Sequence, residues 1–69
     1  MKVGDMVMFV DGGRYAKWFF GQLATVIHYT PSKGDRHGTC RVGWLQPVKY
    51  HDGHATVSDF PIGHFHVMT

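Results

Sequence analysis

Between Val3 and Val67 the sequence is cut into short runs of β-branched and aromatic residues, each stopped by a Gly, Pro or Asp-Gly break, and no apolar period sustains a helix of more than about one turn. The two ends are the most explicit. Val3-Gly-Asp-Met-Val-Met-Phe-Val10 alternates as a strand, and Thr56-Val-Ser-Asp-Phe-Pro-Ile-Gly-His-Phe-His-Val-Met68 reads as a strand, a Phe-Pro turn and a last short apolar strand. A chain patterned in this way buries its apolar side chains by pairing strands, so the expectation is an all-β fold closed on itself as a small barrel.

With 69 residues there is room for one core, because a chain this short buries only about 60% of its unfolded surface. Residues 1–69 are therefore read as a single domain. An apolar fraction of 43% allows Phe9, Leu23, Val26, Ile27, Val42, Trp44, Val57, Phe60, Ile62 and Phe65 to fill that core without a metal. Cys40 has no second cysteine to pair with, and neither a signal-like start nor a membrane-length apolar run is present. These features set the expectation of a soluble intracellular protein, read as cytoplasmic, with no membrane partner. A formal charge of +2 is mild for a protein whose work is neutralising phosphates.

Along the chain, Val7 and Phe9 take one strand parity and Met6 and Met8 the other, so the first strand is apolar on both sides. One face enters the barrel, and Met6, Met8 and Val10 on the other form an apolar patch that calls for cover, either by the Tyr15–Phe20 excursion or by a second subunit, a first hint of homo-oligomerisation. Asp11-Gly-Gly13 is a turn, Gln22–Thr30 a second strand, and Pro31–Gly38 a polar loop. Thr39–Leu45 is a third strand, with Cys40, Val42 and Trp44 on one face; Pro47 ends it or marks an edge bulge. His51-Asp-Gly-His54 is a tight hairpin turn, Phe60–Gly63 a short 3₁₀ turn, and Phe65–Val67 the last strand.

The order of these elements, with the opening Val3-Gly-Asp-Met-Val7, resembles the small SH3-like barrels, among them KOW, Tudor-like and bacteriophage accessory modules. The resemblance spans nearly the whole chain and implies a five-stranded SH3-like barrel with a long first loop, in the cytoplasm of a bacterial cell, with a bacteriophage origin among the options. A narrower similarity is to the plasmid type II dihydrofolate reductases, carried by Gly4-Asp5, Trp18, Gly21-Gln22 and Val57-Ser-Asp-Phe-Pro61. In that alignment the family's pore Gln falls on Ser58, its Tyr on Phe60 and its basic pair on Phe9 and Val10. The groups that would hold folate and nicotinamide are replaced, so the resemblance implies fold and self-assembly without that activity.

Function is expected in the first long loop, where Arg14, Tyr15, Lys17, Trp18 and Phe19 combine cations with aromatic faces. Such a loop suits a protein interface, with Trp18 and Phe19 as apolar anchors, Tyr15 as an amphipathic contact and Arg14 and Lys17 steering an acidic partner. The alternative is single-stranded nucleic acid, with rings stacking on bases and cations on phosphates. A third reading is that the loop folds back, Trp18 and Phe20 covering an open barrel end while Tyr15 and Lys17 stay at the rim. A methyl-lysine cage from Trp18, Tyr29, Trp44 or Tyr50 is a further option.

The six histidines invite a metal, with His51, His54, His64, His66 and Cys40 as the available ligands, but no Cys-x₂-Cys pair or diagnostic spacing accompanies them. No metal or cofactor is assigned. Ser58, Asp59 and His64 supply triad residue types without a reason for triad geometry, and Asp11-Gly-Gly-Arg14 is not a phosphate loop. The expectation is a non-enzymatic binding or accessory protein.

Overall fold

The computed structural model describes residues 1–68. Five strands, β1 (Met6–Phe9), β2 (Leu23–Thr30), β3 (Thr39–Tyr50), β4 (Gly53–Pro61) and β5 (Phe65–Val67), form one antiparallel sheet in the order β4-β3-β2-β1-β5. A one-turn helix, α1 (Ala16–Phe19), lies in the β1–β2 connection, and a 3₁₀ turn, Ile62–His64, joins β4 to β5.

The sheet is open, which corrects the expectation of a closed SH3-like barrel. Among the described residues no ladder joins β4 to β5, and these two strands are the free edges. The cause is local. Pro61 ends β4 without an N–H to offer, and the next amide, Ile62, donates to the Gly38 carbonyl at 3.0 Å. The 3₁₀ turn then carries the chain to β1, where the Val10 N–H donates to the His64 carbonyl at 2.8 Å and β5 pairs with β1 alone. Side chains, not backbone bonds, occupy the space between the edges: the Phe60 and Phe65 rings are 6.1 Å apart.

One face of the sheet is the core. Strand alternation sends Val7 and Phe9, Ala24 and Val26, and Cys40, Val42 and Trp44 inward, where Phe19, Val48, Phe60 and Phe65 join them. Phe9 is the hub, with ring centroids of Phe60, Phe65 and Phe19 at 5.0, 5.5 and 5.8 Å. Three residues expected in the core, Leu23, Ile27 and Val57, are on the other face. Ile27 has the outward parity of β2, next to a register shift between Val26 and His28, and Val57 pairs with outward-facing Gly43. Leu23 and Ile62 are half-buried.

Pro47 does not end β3. It sits where the β3–β4 register shifts between Gly43 and Val48, beyond the last β2 partner at Trp44, so no ladder bond is forfeited. The hairpin turn also differs from the Asp-Gly expectation, because positive φ falls on His51 (53°) and not on Gly53.

Candidate functional site

The Asp11–Gly21 segment is folded by its own backbone. Asp11 Oδ2 accepts the Gly13 N–H at 3.0 Å, and the Gly13 carbonyl accepts the Ala16 N–H at 3.1 Å. The Tyr15 carbonyl takes both the Trp18 and Phe19 N–H groups at 3.1 Å, a shared bond typical of a single helical turn. Gly21, at φ 82°, reverses the chain and donates to the Phe9 carbonyl at 2.8 Å. Helical spacing then sorts the side chains. Tyr15, Trp18 and Phe19 stand at i, i+3 and i+4 and face the protein together, whereas Arg14 and Lys17 face solvent.

Phe19 consequently is not the exposed anchor expected of it. It is 2% exposed and lies stacked on Trp44, centroids 4.9 Å and planes 17° apart. The Trp44 indole N–H is satisfied by Ser58 Oγ at 2.9 Å. Phe20, its neighbour, is the turn's outward ring at 58% exposure. The fold-back expected of this loop therefore occurs, through Trp18 and Phe19 and not through Phe20.

Tyr15 and Trp18 form a half-buried rim above this core. Tyr15 meets Phe60 edge-on at 5.3 Å, and Trp18 meets Tyr50 edge-on at 4.9 Å and His51 at 4.8 Å. Arg14 lies 5.4 Å from the Tyr15 centroid and Lys17 4.2 Å from the Trp18 ring, both within cation–π range. Tyr50 and His51 arrive from the β3–β4 turn, where the positive φ of His51 is held by ring contacts to Tyr50 at 4.2 Å and to Trp18. Their membership has no signal in the local sequence, because it depends on which turn packs beside α1.

Two grooves flank the rim. One, of about 410 Å³, lies between Tyr15, Tyr50 and Phe60 and the free edge strand β4 at His54, Val57 and Ser58. The other, of about 380 Å³, is polar and lined by Lys17, Trp18, Gln46, Lys49 and His51. Cations thus gather at this end through Arg14, Lys17 and Lys49. The remaining basic residues are elsewhere: Lys2 precedes β1, Lys33 and Arg36 bridge within the β2–β3 loop, and Arg41 binds Asp59 through Nε at 2.9 Å and Nη2 at 3.3 Å. That hydrogen-bonded pair holds the Asp59 carboxyl below its ordinary range and raises the Arg41 guanidinium.

The other candidate chemistries are not assembled. Ser58 is bonded to Trp44, Asp59 to Arg41, and His64 lies 3.4 Å from Asp11, so the triad residue types are in separate interactions. Cys40 is buried, and burial followed by the nearby Asp59 charge pushes its thiol from 9.0 up to about 11, away from nucleophilic use near neutral pH. Among the described residues no three His, Cys, Asp or Glu side chains gather as a metal site, and no helix is long and apolar enough to cross a membrane. Of the aromatic-cage set, Trp44 is in the core and Tyr29 is on β2 opposite Cys40; only Trp18 and Tyr50 meet. Met6 is exposed and Met8 half-buried, both on the outer face of the sheet. No family model, curated protein or solved structure matches the chain.

Proposed function

We propose that this chain is a small non-enzymatic binding module of the bacterial or bacteriophage-infected cytoplasm, and that it recognises a protein partner through Arg14, Tyr15, Lys17 and Trp18. The observation that carries the reading is the rim itself. Two cations are held against two half-exposed rings beside a groove that runs to an unpaired strand edge. Aromatic and Arg side chains with a desolvated base are the composition of interface hot spots. The local charge favours an acidic partner segment, since Asp59 is already bonded to Arg41.

Single-stranded nucleic acid is the less supported alternative. Stacking needs a free ring face, yet Trp18 is met by Lys17, Tyr50 and His51, and Phe19 is inside the core. The seven basic residues also do not converge into one track, and the formal charge is only +2.

Selection from a random peptide library on the immobilised protein, followed by titration of the selected peptides and of mixed-sequence single-stranded DNA, tests the proposal. Acidic peptides with an apolar anchor are expected, and Trp18→Ala is expected to weaken them by roughly thirtyfold or more, about 2 kcal/mol. Lys17→Ala should act mainly on association rate and salt dependence. DNA binding that falls steeply with salt, with no peptide enriched, would overturn the reading in favour of nucleic acid.

A further inference from the structure

Of the seven large apolar side chains exposed among the described residues, five lie on the outer face of the sheet: Met6, Ile27, Leu45, Val57 and Met68. The ladders place Met6, Thr25, Gly43 and Val57 in one row across four strands, and the Met68 N–H donates to the Met6 carbonyl at 2.9 Å, which extends the row to the β5 side. Ile27 lies beside Gly43, its Cγ2 3.8 Å from where a Cβ would stand. In the next row Met8 pairs with Leu23, and Leu23 and Leu45 line a depression of about 260 Å³. Neither row contains a Lys, Arg, Asp or Glu. At their margin Arg41 and Asp59 neutralise each other.

We propose that this face is a self-association surface, on which a second copy packs sheet face to sheet face about a two-fold axis. Three features select a second copy as the occupant. The molecule carries +2, so contacts between copies through the basic aromatic end repel, whereas this face presents no net formal charge to its own image. An isologous contact presents one patch to its own copy, and these rows form one continuous patch, from Met68 and Met6 across Thr25 and Gly43 to Val57. The area also agrees. A standard interface buries about 800 Å² per partner, and at the roughly 65% apolar content of homodimers this is about 520 Å². The exposed fractions of the outer-face side chains supply apolar surface on the order of 500 Å². Methionine at three positions adapts the packing.

Sedimentation equilibrium of the wild-type chain, Leu45→Lys and Val57→Lys, from micromolar to hundreds of micromolar protein, decides the matter. Both substituted residues are half exposed, and circular dichroism checks that the variants are folded. The expected result is a wild-type dimer of twice the 7.8 kDa chain mass. Each lysine enters the symmetric interface twice and should raise the dissociation constant by roughly a hundredfold or more. A wild-type chain that stays monomeric over the whole range overturns the proposal, and sedimentation of that monomer with phosphatidylcholine vesicles would assign the face to a membrane surface instead. A dimer that both folded lysine variants leave intact also overturns it, because the contact would then be elsewhere.

Discussion

Phe19 and Phe20 are adjacent, chemically identical and oppositely placed, so truncating each to alanine separates the packing of the aromatic turn from its composition. Phe19 is 2% exposed and stacked on Trp44, whereas Phe20 is 58% exposed. Removing the Phe19 ring returns apolar area on the order of 150 Å² to the ledger of exposed surface, which at about 25 cal/mol per Å² is roughly 4 kcal/mol. Large-to-small core substitutions at Phe cost about 3–5 kcal/mol, in agreement. A domain of this length has a total stability of roughly 3–10 kcal/mol, so Phe19→Ala should remove a large part of it and lower the melting temperature by about 15 °C or more. Phe20→Ala should change stability by less than about 0.5 kcal/mol. Urea unfolding followed by far-ultraviolet circular dichroism and by Trp fluorescence reads both, the fluorescence combining Trp44, which loses its stacking partner, with Trp18 of the same turn. Equal and small effects of the two substitutions would refute a docked α1 and return Phe19 to the surface.

Three further outcomes follow from individual contacts. Ser58→Ala leaves the Trp44 indole N–H without its acceptor and should cost about 1–3 kcal/mol in urea unfolding. Gly38→Ala brings a Cβ to 2.8 Å from the Thr30 carbonyl and 2.9 Å from the Ser32 nitrogen, so backbone must move; a loss of about 1–3 kcal/mol is expected, against almost none for Gly12→Ala, which meets nothing within 4 Å. The Cys40 thiol is raised from 9.0 to about 11, so the folded state holds its proton more tightly. Its contribution is complete below the unfolded pKa and is lost as pH rises between these two values. Stability should fall across that window more steeply in the wild type than in Cys40→Ala, and an unchanged slope would refute the assignment.

Much of the sheet was legible because alternation is a local property. Val7, Phe9, Val26, Val42 and Trp44 are inward by strand parity alone, and the short β5 is read from Phe65 and Val67. The closed barrel was not legible, because closure is decided by whether β4 and β5 exchange backbone bonds. That depends on Pro61 and on the path of Ile62–His64, not on apolar pattern. The site was half legible. Arg14, Tyr15, Lys17 and Trp18 announce themselves by residue type, but an extended loop and a helical turn orient them differently, and only the turn places Trp18 and Phe19 inward together. Tyr50 and His51 reach the rim through tertiary packing across some thirty residues of chain, which no local pattern encodes.

In the proposed function the Arg14–Trp18 rim is where this protein meets another. Amide chemical-shift mapping on ¹⁵N-labelled protein, titrated in parallel with a library-selected acidic peptide and with mixed-sequence single-stranded DNA, tests it most directly. The peptide is expected to shift amides of Arg14 to Trp18, of Tyr50 and His51, and of the β4 edge at His54 to Ser58, and to leave the outer-face strand residues Met6 and Leu45 unmoved. Peptide-induced shifts confined to the outer face, or specific shifts of the rim by DNA alone, would contradict it.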